Sequence, residues 1–307
     1  MKKKIIFVAF AFCAYACSGP KNDGSVLTVD MGDSQLAVVS LNKLKSNTVT
    51  IPLSALVESC EMVQLESTDE AFIKSWYTTV TEKYIGVREQ DQRPYKLFSR
   101  SGKFLGIIGS IGQGPEEYAT ILYDDIIDEN NGLIYLAPFV GDKILVYNTS
   151  GKFIKDITAP SQLNKPKIFL SDNILTVLHM PMPFNDNEVM AVQFDVNTGT
   201  VLKEMPPSAQ FIVTNFDGEL FNTRNTPATF DFLSTSSDTL YHFDINNNTI
   251  LPVLTVNYSV SEPVFKQYFQ LNKDLILTWV SFLDKGSYTK DSKLIATDLK
   301  KQNSVVC

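Results

Sequence analysis

Residues 144–154 read Ile-Leu-Val-Tyr-Asn-Thr-Ser-Gly-Lys-Phe-Ile, which predicts a strand, a tight turn at Ser-Gly and a second strand. The same plan returns at residues 95–105, 191–202, 240–251 and 294–305. The equivalent position before each turn is Phe98, Tyr147, Phe194, Phe243 and Thr297, at spacings of 49, 47, 49 and 54 residues. A hairpin that recurs at nearly constant spacing indicates a repeat architecture.

Each unit has room for two further strands. In the second unit the alternation of apolar and polar residues predicts strands at 125–128, 133–137, 143–148 and 152–157. A four-stranded antiparallel meander repeated every 40–50 residues is typical of the blades of a β-propeller. A β-sandwich, the rival all-β fold, has no reason to repeat a hairpin at this period. The only helix-like stretch is near 264–271.

Three short motifs resemble a known family. Residues 112–118 read Gly-Gln-Gly-Pro-Glu-Glu-Tyr, similar to the GQGPGEY (here GQGPxEY) signature of six-bladed β-propeller lipoproteins of Bacteroides-type bacteria, with Glu116 in place of Gly. Residues 237–241 and 251–254 resemble the family's DTIY and proline motifs, and residues 63–66 its opening strand. The resemblance implies a six-bladed propeller and little about chemistry.

The blade count leaves two alternatives. The repeats supply five units, and an early strand at 62–66 is expected to complete the last blade. We therefore expect a six-bladed type with an incomplete last blade, in a chain that is truncated at its C-terminal end relative to the family. The alternative is a five-bladed propeller.

The N-terminus predicts export and lipidation. Lys2 to Lys4 precede an apolar run, Ile5 to Ala16, which is too short to span a bilayer but has the length of a signal peptide. Cys17 follows Ala14-Tyr15-Ala16, as in a bacterial lipobox, and would be acylated. We expect a signal peptide at 1–16, a lipidated N-terminus and tether at 17–45 and a propeller at 46–307. The predicted location is the outer membrane, on its periplasmic face.

The composition of the chain argues against several classes of function. The net charge is −7, so nucleic acid is not an expected partner. Removal of residues 1–16 leaves 24 basic and 34 acidic residues, a net charge of −10. Two histidines and four cysteines argue against a His-rich metal site and a disulfide scaffold. Cys60 is expected to be a free buried thiol, and a Cys60–Cys307 disulfide is the alternative.

No motif indicates catalysis, a metal or a cofactor. The Asp- and Asn-rich runs at 128–132, 185–188 and 195–199 lack the ligand spacing of a calcium loop and predict hairpin turns. His179 and His242 are expected to be packed or surface residues rather than catalytic bases.

The loop at 109–118 is the candidate binding site. It either packs two blades closely through its glycines or forms the rim of a site with Gln113, Glu116, Glu117 and Tyr118. The predicted function is an outer-membrane lipoprotein whose propeller binds or scaffolds a protein or glycan without catalysis. The alternative is a metal-dependent hydrolase or lactonase of the six-bladed propeller type.

Overall fold

The structure is a computed structural model. It describes residues 24–44, 47–182, 189–213, 218–222, 230–235, 237–257, 264–284, 287–288 and 292–307. Its regular structure is almost entirely strand, with three short 3-10 turns at Leu41–Lys43, Leu53–Ala55 and Ala209–Phe211.

Each sequence repeat forms one antiparallel sheet, or blade, and the described residues contain five blades. An N-terminal hairpin, β1 (Val26–Asp30) and β2 (Gln35–Ser40), precedes them. Blade 1 contains β3 (Ser75–Val80), β4 (Tyr84–Glu89), β5 (Tyr95–Ser99) and β6 (Phe104–Ile108). Blade 2 contains β7 (Leu122–Asp128), β8 (Leu133–Pro138), β9 (Val140–Asn148) and β10 (Phe153–Asn164). Blade 3 contains β11 (Lys167–Ser171), β12 (Ile174–Leu178), β13 (Ala191–Asp195) and β14 (Val201–Met205).

Blades 4 and 5 have additional strands. Blade 4 contains β15 (Leu220–Asn222), β16 (Asp231–Ser234), β17 (Thr239–Asp244) and β18 (Thr249–Asn257). Its outer strand β18 pairs in parallel with β2, so the N-terminal hairpin extends this blade to six strands. Blade 5 contains β19 (Val264–Gln270), β20 (Leu275–Asp284), the two-residue β21 (Ser287–Tyr288), β22 (Lys293–Asp298) and β23 (Asn303–Val306).

The repeat positions become the core of the blades. Phe98, Tyr147, Phe194, Phe243 and Thr297 all lie on the third main strand of their blade, and each is at most 1% exposed. Apolar side chains from both flanking sheets fill the joints between blades 1 and 2, 2 and 3, 3 and 4, and 4 and 5. The four-stranded blades and the all-β propeller arrangement predicted from the repeat are confirmed, with the five blades of the stated alternative.

Three local predictions differ from the structure. Residues 264–270 form strand β19 rather than a helix, because Lys266, Tyr268 and Gln270 alternate into a buried face. Residues 62–66 form no strand, and the Glu66 amide instead bonds to the Gly102 carbonyl oxygen of blade 1 at 2.8 Å. Residues 26–40, within the range expected to be a tether, form β1 and β2.

Both cysteines that the structure describes are free. Cys60 is exposed rather than buried, because the connection to blade 1 passes over the surface there, and Cys307 is half-buried. No helix in the described ranges is long and apolar enough to cross a membrane.

Candidate functional site

The first strands of neighbouring blades meet, and aromatic side chains gather where they begin. Strand β7 contacts both β3 and β11. Trp76 and Tyr77 lie at the start of β3, and Tyr123 lies at the start of β7. The Trp76 ring centroid is 5.4 Å from that of Tyr77 and 6.4 Å from that of Tyr123. Phe139, just after β8, packs edge-on to Tyr123 at 5.7 Å.

Three cations lie over these rings. The Lys167 ammonium is 4.1 Å from the Tyr123 centroid, and the Arg88 guanidinium carbon is 4.7 Å from the Tyr77 centroid. The Lys165 ammonium is 5.3 Å from the Phe139 centroid. A cation over an aromatic face is attracted by the ring quadrupole, and more strongly when water is excluded. We call the aromatic residues Trp76, Tyr77, Tyr123 and Phe139, together with Arg88, Lys165, Lys167 and Glu219, the axial cluster.

A buried ion-pair network holds the axial cluster from below. The Arg88 Nε atom is 2.7 Å from Asp125 Oδ1, and its guanidinium also donates to the Tyr123 carbonyl oxygen. The Tyr95 hydroxyl donates to Asp125 Oδ2 at 2.8 Å. Asp124 Oδ2 accepts from the Ile168 amide at 2.9 Å, which connects blade 2 to blade 3. Arg88 is therefore paired with carboxylates inside the protein, as a buried charge must be.

A second ion pair connects blades 2, 3 and 4. The Lys165 ammonium is 2.6 Å from Glu219 Oε1 and donates to the Gly218 carbonyl oxygen at 2.7 Å. The Tyr123 hydroxyl donates to the same carboxylate. Burial, reinforced by the Glu219 hydrogen bond, raises the pKa of Tyr123 well above its usual range. Tyr123 therefore keeps its proton and its donor role at neutral pH.

The exposed part of the axial cluster is Tyr77. Its side chain is 45% exposed, whereas Tyr123 is 4% and Lys167 is 8% exposed. Tyr77 is therefore the member of the cluster that solvent reaches most, and Arg88 and Trp76 pack against its ring. The cluster offers stacking, hydrogen bonding and charge rather than a nucleophile with a base, so its chemistry suits binding.

The structure separates the four binding residues predicted in the glycine-rich loop. Gln113 and Glu116 are exposed. Glu117 instead closes the loop on itself, accepting from the Gly114 amide at 2.9 Å and the Ser110 hydroxyl at 3.1 Å. Tyr118 is 1% exposed and lies in the core between blades 1 and 2.

Tyr118 has a packing role between blades 1 and 2. Its hydroxyl donates to the Ile108 carbonyl oxygen at 3.2 Å and accepts from the Tyr95 amide at 2.9 Å. Burial raises the pKa of Tyr118 above its usual range. The structural interpretation of the loop therefore applies to Tyr118, and a binding role for Gln113, Glu116 and Glu117 stays a prediction.

A groove lies beside this loop. Its volume is about 560 Å³, and Ser110, Glu116, Tyr147 and Phe153 line it. The Tyr147 hydroxyl donates to the Glu116 carbonyl oxygen at 2.6 Å, and burial raises the pKa of Tyr147 to about 12. Gly109 has a φ of +69°, and a Cβ there would lie 2.7 Å from the Tyr147 ring and 2.8 Å from the Tyr118 ring. Glycine at 109 therefore permits this close approach of the blades.

The two calcium-like runs that the structure describes are hairpin turns. Asp128 Oδ1 accepts hydrogen bonds from the Asn130 and Asn131 amides at 3.2 Å. Asp195 Oδ1 accepts hydrogen bonds from the Asn197 and Thr198 amides in the same way. The run at 185–188 and Cys17 lie outside the described residues. Within the described ranges, no three His, Cys, Asp or Glu side chains are grouped so as to hold a metal ion.

The two histidines have different environments. His179 is fully buried, and burial lowers its pKa to about 4. His242 Nδ1 is 2.6 Å from Asp231 Oδ1, and this hydrogen bond raises the pKa of His242. Neither histidine belongs to the axial cluster.

Sequence reasoning missed the axial cluster because its members come from four blades. One signal could have found it. Aligning the units at the start of their first strand, rather than at the central hairpin, brings Tyr77, Tyr123 and Lys167 to neighbouring positions. Bulky and charged side chains at that phase indicate the axial end of a propeller.

Comparison with known proteins supports the propeller arrangement. The structure is similar to a protein from Bacteroides fragilis described as exported, with a TM-score of 0.60 and 12% identity, covering 89% of this chain and 80% of that chain. It is also similar to a member of the DUF4221 family from Bacteroides vulgatus, with a TM-score of 0.50 and 11% identity, covering 79% of this chain and 83% of that chain. No curated protein matches the sequence. The model of a domain of unknown function, DUF4934, matches residues 36–301, and the chain therefore belongs to the DUF4934 family.

Proposed function

We propose that this chain is an exported lipoprotein whose propeller is a non-catalytic binding domain, recognising a protein or glycan at the axial cluster. Acylated Cys17 attaches it to the outer membrane, with the propeller on the periplasmic face. The family match alone assigns no activity, so the argument depends on the residues.

Export and attachment are supported by the N-terminal sequence and by the neighbours. Residues 2–17 have the basic, apolar and Ala-x-Ala-Cys order of a lipoprotein signal. The similar Bacteroides fragilis protein is described as exported. The mature body is acidic, so anionic lipid would not attract it and the acyl chains must supply the attachment.

Recognition is supported by one observation, the 45% exposure of Tyr77 above a buried ion-pair network. Aromatic side chains on a rigid base give a large contact area at a low entropic cost. Tyrosine can stack on the C–H face of a sugar or enter a pocket of a protein, and its hydroxyl adds a directional bond. The axial end of the propeller is therefore the surface that we assign to the ligand.

Site-specific photocrosslinking tests the assignment. Tyr77 is replaced by p-benzoylphenylalanine in intact cells of the native bacterium, and Phe72, which is 60% exposed but outside the axial cluster, is replaced in a matched control. We expect a discrete adduct at position 77 that is absent at position 72. Partner peptides found in the adduct by mass spectrometry identify a protein, and a mass shift that periodate removes identifies a glycan. The same adducts at both positions, or none at 77, would refute the site.

The lipid anchor is tested separately. Cys17→Ala should release the protein from the membrane fraction or block its processing, whereas Cys13→Ala, which removes a thiol from the signal peptide, should change neither. Detergent partitioning of the Cys17→Ala protein at the wild-type level would contradict the anchor and leave the binding domain untouched.

A further inference from the structure

The N-terminal hairpin has an apolar face that nothing in the described part of the chain covers. Leu27 pairs with Val38 and Val29 with Leu36 across β1 and β2, so these four aliphatic side chains share one face. Leu27 is 46% and Val29 is 42% exposed, and Met31 at the turn is 52% exposed. A solvated sheet face is normally polar.

The opposite face of the hairpin is fixed to the propeller. Val26 and Val39 are at most 2% exposed in the core between blades 4 and 5. The Ser304 amide donates to the Ser25 hydroxyl at 3.0 Å, and β2 pairs in parallel with β18. The hairpin therefore cannot rotate to bury its outer face, and only another surface can cover it.

Chain length restricts which surface can do so. Leu27 lies ten positions after Cys17. A fully extended chain advances at most about 3.5 Å per residue, so Leu27 stays within about 35 Å of an acyl group on Cys17. The hairpin is thus the first element that the structure describes after Cys17.

Charge restricts the type of surface. Residues 26–40 contain Asp30 and Asp33 and no lysine or arginine. Binding to anionic lipid depends on basic residues, which are absent here. Aliphatic side chains on a flat face instead suit the apolar boundary of a zwitterionic bilayer.

We propose that the outer face of the β1–β2 hairpin, formed by Leu27, Val29, Leu36 and Val38, rests on the phospholipid bilayer that holds Cys17. This inference depends on the lipid anchor of the proposed function. Its consequence is a fixed orientation of the propeller, because the opposite face of the hairpin is held to blades 4 and 5. The acyl chains supply attachment, and the hairpin supplies a second, weaker contact.

Depth-dependent quenching tests the contact. The acylated full chain carries Cys60→Ser and Cys307→Ser to remove its free thiols, together with Val29→Cys labelled with an environment-sensitive dye. The matched control carries Leu202→Cys instead, on the outer strand of blade 3, where the wild-type side chain is 48% exposed. Both are reconstituted in vesicles of phosphatidylethanolamine and phosphatidylcholine that contain spin-labelled lipid.

We expect quenching at position 29 to exceed that at position 202 at least twofold, and to be insensitive to salt. Flotation of the same samples separates the two proposals. Failure to float refutes the anchor, whereas flotation with equal quenching at both positions overturns the hairpin contact alone. In the second case the hairpin face would be a docking surface for a protein.

Discussion

The repeat buries the blade faces between consecutive units but not the free faces of the first and last blades. The joint between blades 1 and 2 and the flank between blades 5 and 1 show this difference. At the first joint, Tyr95, Leu97, Ile134 and Leu136 are fully buried between two consecutive repeats. On the other side, no core cluster in the described residues joins blade 5 to blade 1. Trp279 of blade 5 is 41% exposed, and Phe269 is 39% exposed.

Non-repeated chain covers part of this flank. Val63, Leu65, Ala71 and Ile73 pack on the outer face of blade 1, against the buried ring of Phe98 and its neighbours. The Val49 amide bonds to the Val306 carbonyl oxygen at 2.8 Å, so the same segment touches both end blades. A repeat buries a face only where another unit follows, and the remaining faces require a different solution.

The largest expected effect is at the filled joint. Asp125→Ala removes the nearest carboxylate of Arg88 and the acceptor of the Tyr95 hydroxyl. Buried Arg88 then keeps only the Asp124 carboxylate, at 3.7 Å, and the loss costs about 3–5 kcal/mol of unfolding free energy. Asp91→Ala, which breaks an exposed pair with Lys74, should lower the free energy of unfolding far less, because water screens exposed charges. Urea unfolding measures both. Equal losses would mean that the joint is not the dry, well-packed region described.

Two glycine substitutions then measure the effect of close packing at that joint separately from backbone strain. Gly109→Ala and Gly132→Ala both place a side chain at positive φ, +69° and +65°. Only at Gly109 would the added Cβ meet aromatic rings, because no other group lies within 4 Å at Gly132. Gly109→Ala should therefore cost about 1–3 kcal/mol more than Gly132→Ala by thermal or urea unfolding. Equal costs would indicate that backbone strain alone explains both.

The pH dependence of stability tests how dry the joints are. Burial lowers the pKa of His179, in blade 3, to about 4. The unfolded chain therefore binds a proton on this imidazole near pH 6.5, whereas the folded protein binds it only near pH 4. Stability should fall as pH decreases from about 6.5 towards 4, by about 2 kcal/mol between pH 6.5 and 5. His179→Gln should flatten this part of the curve.

His242 is a control of opposite sign. Its pKa is raised by Asp231, so its contribution is fully present below the unfolded pKa and is lost as pH rises through the folded value. His242→Gln should therefore remove stability at acid pH and little at alkaline pH. An acid-side slope that is unchanged in His179→Gln would contradict the burial of that side chain.

The smallest expected effect concerns the open flank. The soluble form without residues 1–17 should self-associate through the exposed face of blade 5. Phe269→Ser with Trp279→Ser should weaken that association at least tenfold, about 1.4 kcal/mol, in sedimentation equilibrium. Leu202→Ser, an equally exposed site on blade 3, should leave it unchanged. A monomer in the unsubstituted protein would show that the flank is closed by chain outside the described residues.

The fold was readable from the sequence because its basic unit is local. Each central hairpin pairs residues that are close in sequence. The alternation and the Ser-Gly turn at 144–154 therefore predict the hairpin that joins β9 and β10. The same strand-turn-strand pattern recurs along the chain, and it aligns Phe98, Tyr147, Phe194 and Phe243 at equivalent positions, in the cores of their blades. The hairpin turns at Asp128 and Asp195 were predictable for the same reason.

Only the tertiary structure decided the site and the use of the chain ends. Tyr77, Tyr123 and Lys167 meet because blades stack side by side, and pairing within one hairpin does not relate residues more than 40 positions apart. The burial of Tyr118 could not be predicted from the loop sequence, because it depends on packing with Tyr95 and Tyr147 in the two adjoining blades. Ser25 contacts Ser304 across 279 residues. The sequence by itself therefore determined what each blade is, and the packing of distant segments determined which surfaces are left for recognition.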